Sequence, residues 1–320
     1  MMKNRFIHIT DDFYKALFYA VKAHDGQYDK SGEPYILHPI GVSELLKSED
    51  EKILAILHDI VEDTDFTLDD VESWGFGHLT EALDCLTGRR DEGETYKDFI
   101  SRILTNRLAI KVKIADLKHN LSRGDKLPEN KRDLIDRYNK WLPVLESELK
   151  RVKIIAAHAG TGKSTLVKRF PERYIDFVCM PYKYSLPKAF DESENESCKA
   201  NPDHELNCDY PDNYIEAMMS ELNKNDKILI IPPDWRVLLH LQTEEIPYIL
   251  CYPKNTKESK EAYRKRYIER GNSENFLEIF IDGWDNFMKS FESDKRGHKV
   301  ILKPHQYLTD VLDEIEGFIN

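Results

Sequence analysis

The chain has 320 residues, 41% hydrophobic and 32% charged, with a formal net charge of -12. That length exceeds one ordinary core and suits two domains, and the composition is globular rather than disordered. The acidic balance, with a pI near 5.5, counts against a nucleic-acid coat or a membrane-surface protein, both of which carry basic faces.

No run of about 18 apolar residues occurs, and the opening MMKNRFIHITDDF lacks a charged-then-apolar leader. A cytoplasmic protein without a membrane partner is expected. The five cysteines (Cys85, Cys179, Cys198, Cys208 and Cys251) are odd in number and scattered, as suits reduced thiols. Cys198 and Cys208 bracket His204, but their spacing matches no common zinc module, which favours a polar loop.

From about residue 10 to 150 the apolar residues recur at helical spacing. DDFYKALFYAVKAH, capped at Asp11 or Asp12, is followed by GVSELLKS, EKILAILHDIVED, HLTEALDCLTG and TYKDFISRILT. LAIKVKIADLKHNL and NKRDLIDRYNKWLPVLESELK complete the series, with breaks at Gly32-Glu33-Pro34, Gly75, Gly77, Gly88 and Pro128. An all-α domain over residues 1–150 is predicted. Near Val152 the period changes. VKIIAAHAGTGKST is an apolar run, a glycine-containing turn and a helix start, and KILIIPPD, IPYILCYP and HKVILK are further strand-type runs. Helical patterns lie between them (NYIEAMMSELNK, VLLHLQTE, ESKEAYRKRYIER, NFLEIFIDGWDNFMKSF), so residues 151–320 are predicted to form an α/β domain on a parallel sheet. The polar, aperiodic stretch from Ser185 to Asn213 is read as a long loop.

The run AILHDIVEDTDFT puts His58 and Asp59 in an apolar helical pattern, with Glu62 and Asp63 one turn further on. A carboxylate pair at a helix end is often only a solvated turn. Two other segments change the balance. His38 precedes Pro39 in SGEPYILHPIGV, and Asp116 lies in the apolar KVKIADLKHNL with Asn120 four residues later. A buried carboxylate is costly unless it is paired or bound to metal. Two imidazoles and two carboxylates make a mixed nitrogen and oxygen set, suited to manganese, iron or zinc more than to calcium.

HDGQYDKSGEPYILHPIGV, ILHDIVEDT and KIADLKHNL, in that order, resemble the HD-type hydrolase domain of the RelA/SpoT homologues and small alarmone hydrolases, over roughly residues 13–125. The resemblance implies an all-helical fold holding one Mn2+ through His38, His58, Asp59 and Asp116. It implies that Glu62 and Asp63 position and activate the attacking water, that Asn120 contacts the nucleotide, and that pyrophosphate is removed from the 3′ position of guanosine tetra- or pentaphosphate. The chemistry is coherent: a metal polarises the phosphoryl oxygen and acidifies water, and a neighbouring carboxylate orients that water or takes its proton. Lys30, Arg89, Arg90, Lys111 and Lys113 are candidates to meet phosphate charge. Asp29 stands where the family usually has an Arg that packs on the guanine, and Leu117 replaces another Arg, which leaves the base open.

AAHAGTGKST nearly matches G-x-x-x-x-G-K-[ST], with Ala157 at the first glycine position, between an apolar run and a helix start. Gly160, Thr161, Gly162 and Lys163 would cradle the phosphates of ATP, with Lys163 reaching the β- and γ-phosphates and Ser164 or Thr165 binding Mg2+. Residues 152–315 resemble small P-loop nucleoside and nucleotide kinases and related phage and bacterial proteins. That likeness implies that Arg266 and Arg270, on one helical face, close over the phosphate, and that Asp176 holds an acceptor hydroxyl or the metal. A bifunctional enzyme follows: a metal-dependent nucleotide phosphohydrolase fused to a kinase-like domain. Its rivals are a hydrolase gated by ATP without phosphoryl transfer, and a nucleic-acid end-processing phosphatase and kinase.

Overall fold

The computed structural model describes residues 10–29, 32–124, 132–185, 205–224 and 226–319. The chain divides into two compact units, Met1–Leu149 and Lys150–Asn320. Among the described residues no helix is long and apolar enough to cross a membrane.

The first unit is helical: α1 (Asp11–Ala23), α2 (Leu37–Glu44), α3 (Glu49–Leu57), α4 (Ile60–Asp63), α5 (Leu68–Val71), α6 (Thr80–Leu86), α7 (Tyr96–Ile103), α8 (Arg107–Ser122) and α9 (Arg132–Lys150). Caps define the starts. The Thr10 hydroxyl accepts from Phe13 N in α1, and Ser48 and Glu51 form a capping box at α3. Ile53 to Leu57 of α3 are wholly buried, joined by Ala16 and Ala20 of α1 and by Val112, Ile114 and Leu117 of α8. Leu117 faces this core, which accounts for an apolar residue at that position.

One expected helix is broken. EKILAILHDIVED reads as a single helix, yet α3 stops at Leu57 and α4 starts at Ile60. The His58 imidazole donates through Nδ1 to the Ala55 carbonyl at 2.7 Å. A continuing helix would offer that carbonyl to the Asp59 N–H; here the His58 side chain takes it, at a break where His58 and Asp59 still keep right-handed backbone angles.

The second unit holds a five-stranded parallel sheet of β1 (Ile154–Ala157), β2 (Tyr174–Asp176), β5 (Ile228–Ile231), β6 (Ile249–Pro253) and β7 (His298–Leu302), in the order β2-β5-β1-β6-β7. A short antiparallel pair, β3 (Tyr184–Ser185) and β4 (Glu205–Leu206), lies apart from it. The remaining helices are α10 (Lys163–Arg169), α11 (Met180–Lys183), α12 (Asp212–Lys224), α13 (Trp235–Thr243), α14 (Lys257–Glu269), α15 (Glu274–Leu277), α16 (Trp284–Ser293) and α17 (Leu312–Ile319). Side chains alternate along each strand. Ile154, Ala156, Leu229, Ile231, Leu250 and Tyr252 enter one core with α12, α13, α14 and α16. Ile155, Ala157, Ile228, Ile230, Ile249 and Cys251 enter the other with α10 and α17. Burial on both faces of β1, β5 and β6 explains why these strands read as continuous apolar runs, while the edge strand β7 leaves Ile301 exposed.

Two boundaries differ from expectation. The end of the predicted 185–213 loop is strand at Glu205–Leu206 and helix from Asp212, while His204 and Cys198 lie outside the described residues. NFLEIFIDGWDNFMKSF is not one helix: α15 passes through a π-turn at Glu278–Asp282 and α16 begins after Gly283, where a Cβ would strike the Ile279 carbonyl.

Candidate metal centre and phosphate loop

Three segments converge in the first unit. α2 carries His38, the α3–α4 turn carries His58 and Asp59, and α8 carries Asp116. Ligand-type atoms of His38, His58 and Asp59 lie within 4.8 Å of one another. Asp116 Oδ1 is 3.2 Å from His38 Nε2 and 3.9 Å from His58 Nε2, and Asp59 Oδ2 is 3.0 Å from His58 Nε2. His38, His58 and Asp116 are buried.

These groups carry a deficit of positive charge. Because His58 Nδ1 donates to Ala55, its neutral form has a bare lone pair at the buried Nε2, 3.0 Å from Asp59 Oδ2. That lone pair faces a carboxylate oxygen. Burial alone would lower the His58 imidazole, but Asp59 and Asp116 outweigh it and hold it up at about 9. Burial would raise Asp59 and Asp116. The imidazoles outweigh it at Asp59, and Lys113 with His38 outweighs it at Asp116, so both stay below the usual carboxylate range. A cation between these atoms relieves the same mismatch, so the residues fit a divalent ion with nitrogen and oxygen ligands.

Around this centre several side chains have roles that their sequence positions did not announce. The Tyr35 hydroxyl lies 2.5 Å from Asp59 Oδ2 and 3.0 Å from Asp63 Oδ2, linking the turn to the carboxylate beyond it. Glu62 is pulled the other way: its Oε2 accepts from Gly88 N at 2.8 Å, and its Oε1 lies 3.4 Å from the exposed Arg90. Asn120 donates to Asp116 Oδ1 at 2.6 Å, and Lys113 pairs with Asp116 Oδ2 at 2.8 Å. The Lys113 ammonium is held above its ordinary value because Asp116 outweighs its burial. His119 Nδ1 meets His38 Nδ1 at 2.9 Å.

Several expected phosphate contacts have other partners. Lys113 is spent on Asp116, Lys111 on the buried Glu51, and one guanidinium nitrogen of Arg89 on both carboxylate oxygens of Asp84 at 2.7 and 2.8 Å. Arg90 is largely open to solvent, with Glu62 Oε1 3.4 Å from its guanidinium. Lys30 lies outside the described residues. Asp29 is not held out towards a base. It pairs with Arg123 and accepts from Glu33 N at 3.0 Å, and Arg123 also reaches Glu33 Oε2 at 3.1 Å. A pairing across 94 positions could not be read from the GQYDKSG motif alone.

In the second unit the glycine turn joins the end of β1 to α10. Gly160 and Gly162 have φ of +77° and +90°, and a Cβ on Gly160 would come within 2.7 Å of the Tyr267 ring. Both positions therefore require glycine. Lys163 Nζ donates to the carbonyls of Ala157 (3.0 Å) and His158 (3.2 Å), and the buried Thr161 hydroxyl donates to His158 O at 2.8 Å. Ser164 Oγ donates to Asp176 Oδ2 at 2.8 Å, tying the helix start to the end of β2, and Thr165 is exposed on α10. His158 is enclosed by Tyr263, Phe280, Trp284, Phe287 and Phe291. Burial and the nearby Lys163 push it down to about 3.

The predicted arginine pair separates. Arg266 is buried, clamped between the rings of Tyr263 and Tyr307 at 4.3 and 4.1 Å, and donates to the Gly160 carbonyl at 2.7 Å. It braces the loop from behind instead of closing over a ligand. Arg270 caps the end of α14 and is exposed. The signal for this difference is the tyrosine spacing, since Tyr263 and Tyr267 flank Arg266 on the buried side of the helix.

No family model matches the chain. Curated relatives do, among them the following three. A guanosine-3′,5′-bis(diphosphate) 3′-pyrophosphohydrolase of Borreliella burgdorferi is 31% identical over 148 residues, 42% of this chain and 22% of the relative. A GTP pyrophosphokinase of Myxococcus xanthus is 32% identical over 200 residues, 53% of this chain and 26% of the relative. The bifunctional (p)ppGpp synthase/hydrolase SpoT of Escherichia coli is 36% identical over 137 residues, 38% of this chain and 19% of the relative. The chain thus spans between about a fifth and a quarter of the length of these relatives. A solved structure described as a metazoan ortholog of SpoT that hydrolyzes ppGpp is 24% identical, covering 42% of this chain and 85% of its own, with a TM-score of 0.37. The N-terminal region of this chain resembles (p)ppGpp hydrolases.

Proposed function

We propose that the first unit is a metal-dependent nucleotide pyrophosphohydrolase that acts on a guanosine 3′,5′-bis(diphosphate)-like substrate and releases its 3′ pyrophosphate. The observation that carries this reading is the cluster of His38, His58, Asp59 and Asp116, three of them buried, with His58 Nε2 set 3.0 Å from Asp59 Oδ2 and His38 Nε2 3.2 Å from Asp116 Oδ1. The relatives named for 3′-pyrophosphate hydrolysis support the substrate class. His38, His58, Asp59 and Asp116 would hold Mn2+ or a similar ion, which when bound supplies a Lewis acid for a phosphoryl oxygen and acidifies water. Asp63, fixed by Tyr35, orients the attacking water or takes its proton, and Glu62, beside it on α4, is tied to the 88–90 loop through Gly88 N. Arg90, left open to solvent, meets the departing pyrophosphate. The test is a screen of nucleotides with 3′ or 5′ phosphates and added manganese, read by product mass. Pyrophosphate release that persists in chelator, or in Asp59→Ala, would overturn the reading.

The second unit, from about residue 151, is proposed to bind ATP at the Gly160–Thr165 turn and to phosphorylate a nucleotide-type acceptor. Two left-handed glycines, Lys163 at the helix start and the Ser164–Asp176 contact support this reading. Backbone N–H groups of the turn would take phosphate oxygens, and Ser164 and Asp176 would hold Mg2+. Lys163 would leave the Ala157 and His158 carbonyls for the β- and γ-phosphates. Labelled ATP with a panel of nucleosides and nucleotides tests it. If ATP alters hydrolysis in the first unit while no acceptor gains phosphate, the unit is a regulator.

A further inference from the structure

The other nitrogens of the two imidazoles in the cluster are held in different ways. His58 Nδ1 is anchored on a backbone carbonyl, the usual arrangement, which leaves Nε2 free to ligate. His38 Nδ1 instead meets a third imidazole, His119 Nδ1, at 2.9 Å. One of these nitrogens must donate and the other accept. If His119 donates, the proton of neutral His38 sits on Nε2, which then points an N–H at Asp116 Oδ1, 3.2 Å away, and has no lone pair for an ion. If His38 donates, its Nε2 lone pair faces the Asp59 and Asp116 carboxylates. Only the second arrangement matches His58 and completes the donor set.

Position 119 is also tightly determined. It lies one turn past Asp116 on α8, so the helix that supplies one carboxylate supplies this partner too. The His119 ring packs directly over Gly41 of α2, where any Cβ would strike it. Gly41 sits three residues after His38, so α2 presents an imidazole and, beside it, the gap that admits its partner. His38 is buried, which removes water as a ready substitute acceptor.

We propose that His119 is a positioning residue for the metal centre: it accepts the Nδ1–H of His38 and so keeps the His38 Nε2 lone pair turned towards Asp59 and Asp116. Gly41 is the second half of the device, because it allows the ring to come close enough. This rests on the reading of the cluster as a metal centre.

The test measures Mn2+ affinity of the full chain by electron paramagnetic resonance or calorimetry, with circular dichroism and thermal melting to verify folding. His119→Leu fills most of the ring volume but accepts no hydrogen bond, and is expected to bind Mn2+ about 10- to 100-fold more weakly. His119→Asn leaves more space but places an amide oxygen near the same point, and is expected to stay within about 3-fold of the wild type. A packing role predicts the opposite ranking. Gly41→Ala, which pushes the His119 ring away while leaving both histidines in the sequence, should weaken binding in the same direction as His119→Leu. Equal Mn2+ affinity in folded His119→Leu and wild type would overturn the role of His119 and leave the centre standing. A wild type that binds no divalent ion would overturn both.

Discussion

The first unit assembles its chemistry from side chains spread between Tyr35 and Asn120, brought together by α2, the α3–α4 turn and α8. The second unit builds its candidate cradle from a few consecutive residues, with the backbone as the working surface and the side chains turned inwards. Lys163 rests on the Ala157 and His158 carbonyls, Thr161 and His158 are buried, and Arg266 braces the loop from behind. In the first case each part can be broken by changing one functional group. In the second, what matters most is where the chain is free of side chains, and replacing a side chain alters stability as readily as binding.

The largest expected effect is at the side-chain site. Asp59→Ala removes a group that faces both imidazoles and should weaken Mn2+ binding and metal-dependent hydrolysis by more than about 100-fold, beyond what loss of an outer partner costs. Calorimetry and product mass check this, while ATP binding in the second unit should be unchanged. The matching change in the cradle, Lys163→Ala, should weaken ATP binding by about 10- to 100-fold, the value of one or two charge-assisted hydrogen bonds, and leave hydrolysis intact. If either variant damages both activities equally, the two sites are not separate.

Acid sharpens the comparison. His158 is held down to about 3 by burial and Lys163, against an ordinary 6.5. The unfolded chain therefore takes up a proton below pH 6.5 that the folded chain refuses until about pH 3. The stability this neutral histidine contributes is complete above pH 6.5 and is lost as the pH falls towards 3, at about 1.4 kcal/mol per unit. Between pH 8 and pH 5, His158→Leu should lose about 2 kcal/mol less stability than the wild type in denaturant titrations of the second unit's transition. Equal losses would mean that the imidazole charges in the folded state.

The smallest effect concerns Asp29 and Arg123, whose side chains are 14% and 21% exposed. A double-mutant cycle on thermal stability should give a coupling of about 1 kcal/mol, and Asp29→Arg alone should be destabilising because it sets two guanidinium groups together. A coupling near zero would free Asp29 for a base contact.

Where the sequence could be read, the reason was local. Apolar strand runs and helical spacing need only neighbours in the chain, so the parallel sheet and the helical first unit were legible. The break at His58 and Asp59 was not, because there a side chain takes the Ala55 carbonyl, which periodicity does not register. His38, His58, Asp59 and Asp116 stood out as polar residues in apolar runs. Tyr35 and His119 did not, since a tyrosine beside a turn and a histidine in a polar helix end look ordinary until Asp59 and His38 are seen next to them. The lysines and arginines were the least legible. A cation's position in the chain says nothing of whether a carboxylate many residues away, such as Glu51 for Lys111 or Asp29 for Arg123, has already taken it.

The most direct measurement is hydrolysis of a guanosine nucleotide bearing a 3′ diphosphate, with Mn2+ and with chelator, in the wild type and Asp59→Ala, followed by product mass. The expected result is release of intact pyrophosphate and a 3′-hydroxyl nucleotide from the wild type with Mn2+ alone. No release from this or any other phosphorylated nucleotide, by a wild type shown to bind Mn2+, would contradict the account.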